Sequence, residues 1–194
     1  MNPVNQMKLI EYAGRNCYKS QDKITDDSYD GFIRRLIQRG HEAPLEFGNM
    51  AVELYTSRAV LAEITRHRLA SFCVESQRYV KENKDNGVHF IRPEWYAADS
   101  KTATWAASMH DAEAAYNYLL DQGCTPQEAR EVLPNSTACS IVMSANLREW
   151  RTIFKLRTSP AAYPQMRSLM REVRRQAFEA YPCVFEDLMG EQDA

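Results

Sequence analysis

The stretch DDSYDGFIRRLIQRG places Tyr29, Phe32, Ile33, Leu36 and Ile37 at spacings of three and four on an otherwise charged segment. That spacing predicts an amphipathic helix, stopped at Gly40 by a left-handed turn. HEAPLEF then reads as a turn around Pro44. In NMAVELYT the apolar positions Met50, Val52 and Leu54 alternate with polar neighbours, which is the period of a strand. SRAVLAEITR returns to helical spacing through Val60, Leu61 and Ile64. LASFCVESQRYV holds β-branched and aromatic residues with no helical stripe and predicts extended chain. Residues 83 to 102 are polar, include Gly87 and Pro93, and predict a loop. A long helix is expected from about 103 to 122, with Trp105, Met109, Ala112, Tyr116 and Leu119 inward and Gly123 as its stop. TPQE, at 125 to 128, is a capping box with Pro126 at the first helical position, and Pro134 keeps that helix short. TACSIVMSA predicts a further strand. NLREWRTIFKLR and PQMRSLMREVRRQAFEAY predict two closing helices, started by Asn146 with Glu149 and by Pro164. With no repeat, low-complexity tract or linker, the pattern predicts one α+β domain over 1–194, a mixed or antiparallel sheet flanked by helices.

Composition narrows the function classes. The chain has 194 residues, 44% hydrophobic and 26% charged, enough for a sizeable core. A net charge of -2 argues against a chain built to coat nucleic acid. No apolar run reaches the length of a membrane span, and MNPVNQMKLIEYAG has no signal-peptide hydrophobic segment. The five cysteines (Cys17, Cys73, Cys124, Cys139, Cys183) form no CxxC pair, so neither a zinc knuckle nor a disulfide framework is indicated. These features together lead to the expectation of a reduced, cytoplasmic protein. His41, His67, His89 and His110 are scattered and make no metal set, and no Walker loop or GxGxxG turn is present.

Chemistry is concentrated in TRHRLASFCVESQRYV. If the chain is extended there, Arg66 and Arg68 share one face with His67 on the other, and in the segment after it Ser76 and Arg78 likewise fall on one face. Paired guanidinium forks and a hydroxyl beside a guanidinium suit phosphate or pyrophosphate. The competing reading is a solvated charged face, which suffices for any single arginine but less well for cations that flank a half-apolar strand. Further cations stand at Arg130, Arg148 and Arg157. Position 157 falls on the stripe of Leu147, Trp150, Ile153 and Phe154, so its guanidinium must be paired or face a ligand cavity. Arg151 and Lys155 lie on the other face and are expected in solvent. Arg167, Arg171, Arg174 and Arg175 are expected on the outer face of the last long helix. Cys73 and Ser76 could be nucleophiles, but no activating base is specified, and a cysteine is more often a small apolar side chain.

RHRLASFCVESQRY resembles the signature of the flavin-dependent thymidylate synthases, with Arg66-His67-Arg68, Ser71, Ser76 and Arg78-Tyr79 as its fixed elements and Glu75-Ser76 matching one branch. HEAPLEF, AREVLP, NLR and KLR resemble further blocks of that family, in order, so the likeness extends over nearly the whole chain. The resemblance implies binding of FAD and dUMP, transfer of a carbon from methylenetetrahydrofolate, and reduction by NADPH. It implies FAD contacts from Arg66, His67 and Arg68, with Asn146, Arg148 and Thr152 contributing, the first two from another subunit. It implies dUMP contacts from Glu63, Arg66, Glu75, Ser76, Gln77, Arg78 and Arg130. Arg157 would lie against the uracil ring as the catalytic residue, stabilising charge at N3–C4. The family assembles as a homotetramer with shared sites, which implies small-molecule substrates as partners and no nucleic acid or membrane.

Departures from the family pattern fall at Ala43, Phe47, Glu63, Thr152 and SPAAYPQMR. Two alternatives follow. Glu63 and Val74 leave open a flavin enzyme that modifies C5 of another pyrimidine nucleotide, for example by hydroxymethylation. A non-catalytic nucleotide- or RNA-binding module is the other, against which the acidic net charge argues.

Overall fold

The computed structural model describes residues 2–82, 87–96 and 100–190. Helix α1 (Pro3–Asn16) opens the chain, an element the periodicity reading did not include. Its local signals are plain: the Asn2 side chain accepts from the Asn5 N–H (2.9 Å), and Pro3 stands where a missing N–H costs nothing. Helix α2 (Ser28–Gln38) buries Ile33 and Leu36, and Gly40 adopts φ 71° as its stop. A 3-10 turn (Ala43–Phe47) leads to β1 (Asn49–Ser57), and the Ser57 hydroxyl caps α3 (Arg58–Ile64). Strand β2 is Ala70–Val74, and helix α4 is Ser100–Asp121. Residues 83–86 and 97–99 of the predicted loop lie outside the described residues. The capping box predicted at Thr125 is present and starts α5 (Pro126–Ala129), followed by a 3-10 turn (Arg130–Val132). Strand β3 (Ala138–Asn146) runs into α6 (Leu147–Arg157), where Asn146 Oδ1 accepts from the Glu149 N–H at 2.8 Å. Helices α7 (Pro164–Ala180) and α8 (Pro182–Phe185) and a 3-10 turn (Glu186–Leu188) close the described fold.

The strands form a small antiparallel sheet of order β1-β3-β2, flanked by helices, so the fold class is α+β. Ser140 and Ser144 of β3 donate to Glu53 (3.0 Å) and Asn49 (2.7 Å) of β1, and these pairs run in opposite senses along the two strands. The extended chain expected through residue 80 is shorter than predicted. After Val74 the backbone turns, and the Ser76 carbonyl accepts the N–H groups of both Tyr79 and Val80. The Ser76 hydroxyl also accepts the Arg78 N–H (3.3 Å), and a serine side chain that takes a backbone donor in this way favours the turn over the β-branched and aromatic composition.

Contacts group the chain into two compact units. One comprises Met1–Val52, His67–Ser71 and Ser144–Ala194. Its core is aromatic: Trp150 lies 5.4 Å from Phe154, Phe154 5.4 Å from Phe185, and Phe185 6.3 Å from Tyr181, while Trp150 Nε1 donates to the Met50 carbonyl. Such edge and offset contacts keep bulky rings dense without leaving a polar atom unpaired. The other unit comprises Glu53–Arg66 and Phe72–Met143. There Val88, Tyr116 and Ala129 form a core with Phe90, Leu119 and Leu133 packed against it. Trp105 and Met109 of the predicted stripe are half-buried, and Tyr116 is fully buried. No described helix is long and apolar enough to cross a membrane.

Two expectations of exposure are corrected. Arg151 is 1% exposed. Its guanidinium forks onto Asp187 (2.6 and 2.7 Å), reaches Glu42 (3.3 Å) and donates to the Val184 carbonyl. The buried arc of helix α6 is wide enough to take in Arg151 at its edge, while Arg148, Thr152, Lys155 and Leu156 form the exposed face opposite the apolar stripe. Arg174 is also buried, donating to the Leu188 carbonyl (2.8 Å) and Thr158 (3.1 Å). Burial alone would raise the Asp187 carboxyl, but Arg151 outweighs it and holds the acid below its ordinary range. Replacing Arg151 by alanine strands two carboxylates and a carbonyl, and is expected to cost about 3–5 kcal/mol in urea unfolding. A loss under about 1 kcal/mol would mean that the pair behaves as a surface one.

Candidate active site

The signature divides between the two units after Arg66. In the first unit, α6 displays Asn146, Arg148, Glu149, Thr152 and Arg157 along its length. His67, 6% exposed, joins two of them. Its Nδ1 lies 3.3 Å from Glu149 Oε1, and Arg157 Nε donates to its Nε2 at 3.0 Å. An arginine can only donate, so Nε2 must present its lone pair. The ring proton is therefore on Nδ1 and points at Glu149. A second ring proton would face the guanidinium directly. Burial, then the Arg157 charge, lower the His67 pKa below the usual 6.5, and the Glu149 carboxylate only partly opposes them. The row is thus carboxylate, neutral imidazole, guanidinium.

The other residues of this unit are held more loosely. Arg148 pairs with Glu46 at 2.6 Å, both about half exposed. Asn146 uses its side-chain oxygen as the α6 cap, and Thr152 is exposed and donates weakly to the Arg148 carbonyl (3.4 Å). Arg68 is exposed and has no ion-pair partner among the described residues. Phe47, 60% exposed, lines a groove of about 590 Å³ with Leu9, Met50 and Tyr181.

The second unit carries the nucleotide set. Arg66 follows α3, is exposed, and has no ion-pair partner among the described residues. Glu63 is half-buried on α3. Ser76 Oγ accepts from the Arg78 N–H (3.3 Å), tightening the turn that presents Arg78 to solvent. Arg78 Nε donates to Gln127 (3.3 Å) and its guanidinium lies 5.3 Å over the Tyr79 ring. Gln127 is one turn before Arg130, so this contact brings the arginine of α5's end beside the signature turn; Arg130 itself meets Glu131 at 3.7 Å. The predicted face shared by Ser76 and Arg78 therefore exists as a turn, not as strand alternation. Glu75 is committed elsewhere: its carboxylate accepts from the Ser140 N–H (3.4 Å), which ties β2 to β3.

Three participants were not singled out from the sequence. Glu149 served there only as a helix-start signal, although its spacing of eight from Arg157 puts both on one stripe of α6. Arg58 and Glu82 lie beneath the signature turn: Arg58 Nη2 donates to the Glu75 carbonyl (3.1 Å) and approaches Glu82 at 3.5 Å. Burial raises the Glu82 carboxyl, and Gln77 and Arg58 offset this in part. Glu82 and Glu75 line a cavity of about 260 Å³ with Tyr55, Lys81 and His89. No spacing rule links positions 58 and 82.

Residues 2–183 match the family model described as thymidylate synthase complementing protein. A probable flavin-dependent thymidylate synthase of Mycobacterium phage D29 is 35% identical over 95% of this chain and 84% of its own. The flavin-dependent thymidylate synthase of Mycobacterium tuberculosis (strain ATCC 25177 / H37Ra) is 34% identical over 92% and 78%. A UMP/dUMP methylase, PolB, from Streptomyces cacaoi bound with 5-Br dUMP shares the fold at a TM-score of 0.77, with 23% identity, 93% of this chain and 88% of that one. The chain belongs to the thymidylate synthase complementing protein family, and its relatives include flavin-dependent thymidylate synthases.

The His67 arrangement predicts a pH dependence. A histidine whose folded pKa is depressed stabilises the fold fully above its unfolded value, and that share is lost as pH falls from about 6.5 toward the folded value. Urea midpoints should therefore fall more steeply between pH 7 and 5 in the parent chain than in His67→Gln. Parallel curves would contradict a buried neutral imidazole.

Proposed function

We propose that the chain is a flavin-dependent thymidylate synthase that methylates dUMP at C5 to give dTMP. The observation that carries the reading is the held guanidinium of Arg157, a permanent cation whose Nε is fixed by a neutral imidazole. C5 of a uracil ring becomes nucleophilic as negative charge gathers toward N3–C4. A pre-oriented guanidinium stabilises that charge where it develops, without reorganising during the step.

The remaining residues divide by charge balance. Ser76, Gln77, Arg78 and Arg130 would take the nucleotide phosphate: Arg78 is matched with neutral Gln127, so its charge is left for an anion. Arg66 and Arg68 are exposed cations, each suited to an anionic group such as the phosphates of FAD. The exposed Arg148–Glu46 pair is worth about 0–1 kcal/mol and opens readily toward a flavin. Asn146 and Arg148 would reach FAD of another subunit within a homotetramer, and Thr152 would lie near the flavin. Both ring nitrogens of His67 are engaged within the chain and its side chain is buried, which leaves its backbone for the flavin. Bound flavin would supply the two electrons that convert the carbon from methylenetetrahydrofolate into a methyl group, with NADPH restoring them and C5 giving up its proton.

The purified protein should be yellow and tetrameric by visible spectrum and light scattering; a colourless monomer indifferent to added FAD overturns the reading. Product analysis with dUMP, UMP and dCMP tests the substrate. Arg78→Ala and Arg157→Ala should each weaken dUMP binding by about 1.5–3 kcal/mol. In Arg78→Ala, deoxyuridine binding should be unchanged, because the phosphate contact is what is lost. Arg157→Ala should lower kcat as well. Cys73 is exposed on β2 and, as read from the sequence, has no assigned base. Cys73→Ala should therefore keep NADPH-dependent conversion of dUMP, and a pyrimidine adduct on Cys73 in quenched enzyme would refute this.

A further inference from the structure

Glu149 takes no part in the proposed chemistry, yet it is a buried carboxylate aimed at a buried ring. It stands at the third position of α6, where the Asn146 cap takes its N–H. Glu149, Ile153 and Arg157 follow at intervals of four, so Glu149 and Arg157 are about 12 Å apart along the axis. His67 spans that gap, with Nδ1 toward Glu149 and Nε2 toward Arg157. The two ring nitrogens are not independent. A neutral imidazole has one proton, and whichever nitrogen carries it leaves the other as acceptor. A carboxylate at Nδ1 holds the proton there. Without it, the ring could carry the proton on Nε2 and turn a donor toward the guanidinium.

We propose that Glu149 is a positioning residue for Arg157: it holds His67 in the Nδ1–H tautomer, so that Nε2 accepts from Arg157 Nε and fixes the plane of the guanidinium that meets the pyrimidine. This rests on the assignment of Arg157 to the nucleotide. Fixing Nε sets the directions of both Nη groups, since the guanidinium is planar. The relation is the one by which a carboxylate behind a metal-bound histidine sets its tautomer and ring angle, with a guanidinium in the metal's place.

The test uses the full chain labelled with 15N-histidine, with His67 assigned through His67→Gln. The imidazole should show a protonated Nδ1 and a bare Nε2. In Glu149→Ala that signature should be lost, dUMP affinity by calorimetry should fall about tenfold, and kcat should fall with it. Glu149→Gln, whose amide oxygen can still accept from Nδ1–H, should bring affinity back to within about threefold of the parent. A merely structural role would move stability but not the tautomer. A proton on Nε2 in the parent chain overturns the proposal, as does a Glu149→Ala that keeps both tautomer and affinity, or a Glu149→Gln that loses as much as alanine. If Glu149→Ala does not fold, the parent spectrum and Glu149→Gln decide. If Arg157→Ala binds dUMP as tightly as the parent, the nucleotide role of Arg157 fails, and the tautomer measurement still judges the Glu149–His67–Arg157 row.

Discussion

A carboxylate and a guanidinium on one face of α6 are too far apart to neutralise each other directly, and both are largely taken out of water. His67 solves this by staying neutral and using one nitrogen for each charge. The cost of burying Glu149 is offset by the Asn146-capped helix start, where a carboxylate also meets the positive end of the helix dipole. Arg157 stands at the opposite end, where a cation is favoured for the same reason. The helix thus supports both ends of the row that its own side chains begin and finish.

The same helix anchors the first unit from its other side. Arg151 draws Glu42, Val184 and Asp187 onto α6, while Trp150 and Phe154 pack into the aromatic core. A shift of α6 that disturbed the core would move the cap, the His67 contacts and the ion network together. Exposed groups nearby, such as Arg148 and Thr152, have weaker ties, as suits side chains that must meet a ligand.

Much of this was legible in the sequence where the signal was local. Asn146, Thr125 and Gly40 announce helix ends by their own chemistry, and alternation around Met50 to Leu54 announces β1. Arg157 was placed on the buried stripe by counting alone. The missed elements have non-local causes. Burial of Arg151 and Arg174 depends on Val184, Asp187 and Leu188, more than ten residues further on, and a helical wheel of α6 or α7 does not contain them. The ring of Ser76 contacts that ends the extended stretch was signalled by serine's turn preference but outweighed by Phe72, Val74 and Tyr79. The candidate site was named as a set of cations through the family signature, whereas the polar residues set beside it, Glu149 at His67, Gln127 at Arg78 and Glu82 at Arg58, are ordinary until the fold brings them close.

The wide buried arc of α6 also bears on how the chain can vary. Of its eleven residues, six are buried, and those six include a carboxylate and a guanidinium with assigned partners. Arg148, Thr152 and Arg157 are reserved for ligands if the chain methylates dUMP with bound flavin. Only Lys155 and Leu156 remain as positions where a new side chain would meet chiefly water. The exposed face of this helix is therefore narrowed by the proposed ligand roles to two positions, and most diversity introduced into this protein would have to enter through its other elements.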